Sequence, residues 1–142
     1  MKTKFSAIVH LRKRDMQECE RAIMQNENKI ASKRMQIDDI ADELVGLKVP
    51  QSGAFQAFMA YEELKKMLLF RMSIAQQELE ELHTNKMLLQ EQYKKCHIEY
   101  EKMASLEKRE QESMFKNLKL KEKKEVDEIA TMLYSNTEGR FI

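Results

Sequence analysis

Residues 9–47, VHLRKRDMQECERAIMQNENKIASKRMQIDDIADELVGL, place Val9, Met16, Ile23, Ile30, Ile37 and Leu44 at every seventh position without a miss. Two helices wound on each other meet through positions spaced this way, so the row is the seam of a coiled coil. Its companion row, three residues later, is Arg12, Cys19, Asn26, Lys33, Ile40 and Leu47, with Phe5 one heptad earlier. That second row is polar in its middle.

Working outward, the breakers Gly46, Pro50, Ser52 and Gly53 form the one cluster that can punctuate a helix, and they make a single turn. Beyond it a second seam runs through Phe58, Met72, Leu79, Tyr93 and Tyr100, interleaved with Tyr61, Leu68, Ala75, Leu82, Leu89, Cys96 and Met103. Lys65 and Lys86 interrupt it. The expected fold is all-α, a two-helix antiparallel coiled-coil hairpin with a longer second helix. One domain spans residues 1–142, with helix 1 at about 3–47, the turn at about 48–53, helix 2 at about 54–134 and a frayed tail at 135–142.

Matching seam to seam predicts that residues whose numbers sum to about 101 or 102 face one another. Leu44 then meets Phe58, Ile40 meets Tyr61, Ile30 meets Met72, Cys19 meets Leu82 and Val9 meets Tyr93. Asn26 falls opposite Ala75, and Lys33 lays its stem beside Leu68. In this register Cys19 and Cys96 are separated by on the order of 20 Å, at about 1.5 Å per residue, which excludes an internal disulfide. The paired section would be a rod about 70 Å long.

Helix 2 outlasts helix 1, so everything past about Glu99 becomes an overhang. Ala104 to Ser113 is mostly charged and suits a solvated helix with Glu and Lys three or four residues apart. Phe115, Leu118, Val126, Ile129 and Leu133 follow helical spacing, with Glu122 the one polar member, and form an apolar stripe that the hairpin cannot cover.

Composition narrows the function. Charged residues make up 35% of the chain and aromatic ones 7%, too lean a mixture for a thick globular core. The 25 basic and 24 acidic residues are interspersed, unlike the basic face of a nucleic-acid binder. No apolar run is long enough to span a bilayer, and no signal-peptide pattern opens the chain, so a cytoplasmic protein is expected. There is no phosphate-binding glycine loop, no cysteine pair at metal spacing, and His10, His83 and His97 stand alone, so neither an enzyme nor a metal or cofactor site is expected. The eleven methionines fall mostly on or beside the seams and read as core filler. Arg12-Lys13-Arg14 and the lysines at 116, 119, 121, 123 and 124 read as solvated faces, or as docking points for acidic protein surfaces.

Phe55, Phe58 and Tyr61 open helix 2 within two turns, while the seam requires only the last two. Phe55 is either a cap under the loop against Leu47 or an exposed anchor for a partner.

Three segments carry a family likeness. Lys4-Phe5-x3-Val9-x-Leu11-Arg12-x-Arg14 is similar to the opening helix of the FliJ family of flagellar export proteins. Leu106-Glu107-Lys108-Arg109-Glu110 and Lys123-Lys124-Glu125-Val126-Asp127-Glu128-Ile129-Ala130 resemble its closing motif, and Phe55-Gln56-Ala57-Phe58 resembles the start of its second helix. The resemblance implies a cytoplasmic antiparallel coiled coil like the central stalk of rotary ATPases, peripherally associated with the inner-membrane flagellar export apparatus. It implies a protein that binds and stimulates the hexameric export ATPase FliI, couples it to the export-gate protein FlhA, and handles export chaperones, while a hairpin that satisfies its own seams is expected to be monomeric. Carried over by position, Phe58, with Phe55 and Tyr61 beside it, matches the gate-contacting tip. Phe5, Leu11, Phe115, Leu118, Lys123, Lys124, Val126, Asp127, Ile129 and Leu133 make up the ATPase end. Glu62 departs from the family, standing where an apolar residue is expected one turn past Phe58. Three alternatives remain open: a structural or tethering coiled coil without an export role, a prefoldin-like chaperone, and the related stalk protein of virulence-type secretion. Against prefoldin, Lys48 to Ala54 leaves no room for the β-hairpins of those chains.

Overall fold

The computed structural model describes residues 2–140, with side chains to residue 136. Two helices, α1 (Ser6–Gly46) and α2 (Phe55–Arg140), account for nearly all of it, and among the described residues there is no strand. This is the all-α helical hairpin expected from the paired heptads.

The start of α1 is fixed by reciprocal capping. The Thr3 hydroxyl accepts from the Phe5 amide at 3.1 Å, and the Ser6 hydroxyl accepts from the Thr3 amide at 2.8 Å. Two amides that a helix start leaves without backbone acceptors are satisfied in this way. The helix ends at Gly46, and the link to α2 contains Gly53 at φ +141°, a conformation that needs a residue without Cβ. No proline follows Pro50, and α2 continues unbroken to Arg140, through the segment from 135 where fraying is expected; residues 141 and 142 lie outside the described residues.

The chain divides into two compact units, one of residues 15–96 and the other of residues 1–14 with 97–142. In the 15–96 unit, Ile40, Leu68 and Ala75 are buried together, and Ile37, Leu44, Leu47 and Met72 pack on them. All seven residues are seam positions. Cys19, Ile30 and Asn26 are also buried. The seams are therefore those of the sequence, but the register is not.

Contacts in this unit join residues whose numbers sum to 108–115 rather than 101 or 102. Asn26 Nδ2 donates to the Leu82 carbonyl at 3.1 Å, and its Oδ1 accepts from Asn85 Nδ2 at 2.9 Å. Lys33 is ion-paired with Glu78, Lys86 lies 2.9 Å from Glu27, and the Tyr93 hydroxyl donates to Glu20 at 3.4 Å. Cys19 and Cys96, expected on the order of 20 Å apart, have their sulfurs 3.5 Å apart.

The slip, one and a half to two heptads, has a physical reason. A heptad seam is nearly self-similar under half-heptad shifts, so apolar matching alone leaves several registers close in energy. Polar seam residues break that degeneracy, because a buried amide or ammonium without a partner is costly. The observed register gives Asn26, Lys33 and Lys86 polar partners. The expected one would have faced Asn26 with Ala75 and Lys33 with Leu68.

In the other unit the Ser6 hydroxyl, besides accepting from Thr3, donates to Glu107 Oε1 at 2.8 Å. Met103, Ala104, Leu106, Glu107, Glu110 and Gln111 are half-buried. The paired section thus reaches well past Glu99, and the segment expected to be solvated from Ala104 is partly covered by the start of the chain. Every described residue from 112 onward is exposed.

Candidate protein-binding surfaces

Two surfaces bear the exposed apolar residues expected of docking sites, one in each unit. In the 15–96 unit, the observed register puts Gly46 near the level of residue 66, so the first turns of α2 extend beyond the end of α1. Helix propensity sustains them; packing against α1 does not. Phe55 is 75% exposed and Phe58 45%, while Tyr61 is half-buried with its ring 6.4 Å from that of Phe58. Phe58 is therefore not the seam partner of Leu44, which packs on the Ile40 cluster. Leu47 packs there too, whereas Phe55 leaves most of its ring to solvent. Glu62, the departure from the family pattern, is half-buried.

Beyond these aromatics the sequence reading missed a second row. Met59, Met67, Phe70 and Ile74 are all exposed, Phe70 at 66%, and with Glu63 they follow a spacing of three and four residues. At 100° per residue the row lies on the face of α2 away from Leu68 and Ala75. The signal was present in the sequence as large apolar residues off the heptad, but apolar residues near a turn are easily counted into the seam. Val45 and Val49 add exposed apolar surface close to the turn.

In the other unit, Phe115, Leu118, Val126, Ile129 and Leu133 are exposed by 46–63%. They keep one face of α2 over about five turns. Lys119 Nζ sits 4.8 Å from the centre of the Phe115 ring, a cation–π contact, and Thr131 donates to the Asp127 carbonyl at 2.8 Å. Lys123, Lys124 and Asp127 are exposed beside the stripe. Leu11 is 47% exposed, while Phe5 is half-buried under Lys4, whose Nζ lies 5.3 Å from its ring centre. By the Ser6–Glu107 bond, Phe5 stands near the level of residue 108, about two turns before Phe115. The residues grouped as one end thus form a short N-terminal patch followed by a long stripe.

The grooves along the helix pair are shallow and lined mainly by charged and amide side chains, such as Lys29, Lys33, Glu78 and Glu81. Among the described residues, no group of three or more His, Cys, Asp or Glu could hold a metal ion, and no helix is long and apolar enough to cross a membrane.

A charged helical hairpin that carries rows of exposed apolar side chains along α2 has the character of a coiled-coil interaction module. No curated protein and no solved structure matches the chain significantly. A family model does: the chain belongs to the family of the flagellar FliJ protein, whose model matches residues 1–139. Membership gives it a role related to flagellar protein export.

Proposed function

We propose that the chain couples the export ATPase FliI to the export gate FlhA, with the closing stripe of α2 docking on the ATPase and the aromatic start of α2 on the gate. The observation that carries this reading is the stripe Phe115, Leu118, Val126, Ile129 and Leu133, which is exposed along its whole length. Fully burying one large apolar side chain contributes roughly 1.5–3 kcal/mol, so five in a row favour a protein partner over water. The lysines and acidic residues beside the stripe suit an orienting role, since exposed charges govern encounter more than final affinity. At the other surface, Phe55 and Phe58 are the kind of rigid aromatic anchor that dominates interfaces. Export chaperones are further candidates for the second apolar row through Phe70.

The test is stimulation of ATP hydrolysis by FliI. Val126→Asp and Ile129→Asp, each placing a charge in the stripe, are expected to remove most of the stimulation while circular dichroism and the melting temperature stay unchanged. Normal stimulation by both variants would move the ATPase contact to the hairpin and leave the stripe without this role.

A further inference from the structure

Cys19 on α1 and Cys96 on α2 are free thiols whose sulfurs meet 3.5 Å apart across the helix pair. Cys19 is buried at 8% exposure and Cys96 is half-buried. An opening beside both sulfurs is lined by Asp15, Glu18, Ala22 and Gln92, which gives a small molecule access to the pair and makes its rim acidic. Neither of the two apolar surfaces includes these cysteines. We propose that Cys19 and Cys96 form a dithiol site that small cationic disulfides oxidise to a reversible cross-link between α1 and α2.

The geometry requires little movement. A disulfide has its sulfurs about 2.05 Å apart, so the pair must close by about 1.5 Å, within reach of small side-chain rotations. The two sulfurs have distinct roles. Cys96, the more accessible, loses its proton to solvent and attacks one sulfur of the small disulfide; the S–S bond breaks and one small thiolate leaves, taking up a proton. Cys19 then loses its proton and attacks the Cys96 sulfur of the mixed disulfide, and the second small thiolate departs and is protonated. The protein loses two hydrogens, and the small disulfide is reduced to two thiols. Burial, then the hydrogen bond and charge of Cys96 and the charges of Asp15 and Glu18, push the Cys19 thiol up to about 11. The hydrogen bond and charge of the Cys96 thiol are lost once its sulfur is in the mixed disulfide, and Cys19 then stands against that sulfur, so the second step is intramolecular and the mixed disulfide closes without accumulating. The same acidic rim favours a cationic reagent over an anionic one.

The experiment treats the reduced full-length chain with cystamine and, separately, with glutathione disulfide. With cystamine the titratable thiols should fall from two to none, the mass should drop by two hydrogens, and the protein should stay monomeric. Closing a chain segment of 77 residues should raise the melting temperature by roughly 10 °C, and dithiothreitol should reverse the change. Cys19→Ala should stop at the mixed disulfide on Cys96. Cystamine should react about tenfold faster than glutathione disulfide, and Asp15→Asn with Glu18→Gln should remove most of that preference. Wild-type protein that accumulates the mixed disulfide, dimerises through Cys96, or keeps both thiols would overturn the proposal. Equal rates for the two reagents would overturn its cationic specificity.

Discussion

The two apolar regions of α2 are built from similar residues and come to opposite ends. Around Leu68 and Ala75, α1 supplies Ile37, Ile40 and Leu44, and the side chains vanish from solvent. Val126 and Ile129 lie beyond the start of α1, which meets α2 at Glu107, and residues of the same kind stay more than half exposed. Aliphatic side chains stand in both places, and a neighbouring helix covers those of the first. Stability should therefore reside in the first region and recognition in the second, a separation that substitutions can break.

The largest expected effect is on the covered side. Leu68→Ala removes a side chain that is 2% exposed and leaves a cavity against Ile40 and Ala75, so it should cost about 2–5 kcal/mol in chemical denaturation. The same truncation at Ile129, 58% exposed, should change stability by less than about 0.5 kcal/mol. Comparable losses at both sites would mean that the closing stripe is covered in solution.

Next in size is the polar layer inside the covered region. Asn26→Ala removes the donor to the Leu82 carbonyl at a buried position, while the exposed Asn85 amide turns to water, and should cost about 1 kcal/mol. Its sharper consequence concerns register. Spin labels at Arg21 and Gln92 should lie within roughly 20 Å, about two helix diameters, in the wild-type chain. Asn26→Leu should broaden that distance distribution, since the amide that distinguishes one half-heptad setting from the next is gone. A single narrow distribution in Asn26→Leu would assign register to the ion pairs of Lys33 and Lys86 instead.

A smaller effect is expected where α2 extends past the end of α1. Phe55→Ala and Phe58→Ala, at positions 75% and 45% exposed, should weaken binding to the gate protein by about tenfold each with the melting temperature unchanged. A variant that lowers the melting temperature and keeps its affinity would make its residue part of the fold.

Much of the fold was legible from one periodic run and one cluster of breakers. The row from Val9 to Leu44 defined α1's buried face, and Gly46 to Gly53 located the turn, because heptad spacing and helix breaking are local properties. Register is not local. Val9, Ile23 and Ile30 find an apolar neighbour at several settings of α2, whereas Asn26 needs Asn85 and Lys33 needs Glu78. Matching of polar seam residues ahead of apolar ones is the signal that brings Cys19 to Cys96. The closing stripe was legible as a surplus of apolar residues beyond the reach of helix 1. The row through Met67 and Phe70 was not, since its members alternate with true seam residues and separate from them only once the face of α2 is known.

The gentlest probe of the covered region is the ion pair between Glu27 and Lys86, which is possible only in the observed register. The hydrogen bond from Lys86 Nζ holds the Glu27 carboxyl below its ordinary value of 4.5; the charges of Lys86, Arg34 and His83 act in the same direction, and desolvation opposes them. A carboxylate whose folded pKa is depressed stabilises the fold above the unfolded pKa and loses that contribution as pH falls through 4.5 and below. Both side chains are more than a third exposed, at 36% and 44%, so the contribution is small and screened by salt. Glu27→Gln keeps the shape and removes the charge. Its denaturation midpoint should fall slightly below that of the wild type at pH 7 in low salt, and the two should converge at pH 3 or in 1 M salt. A gap that persists at pH 3 would assign Glu27 a packing role. A gap absent at pH 7 would mean that Lys86 interrupts the α2 seam without gaining from Glu27, and the register would then rest on Asn26 and Lys33 alone.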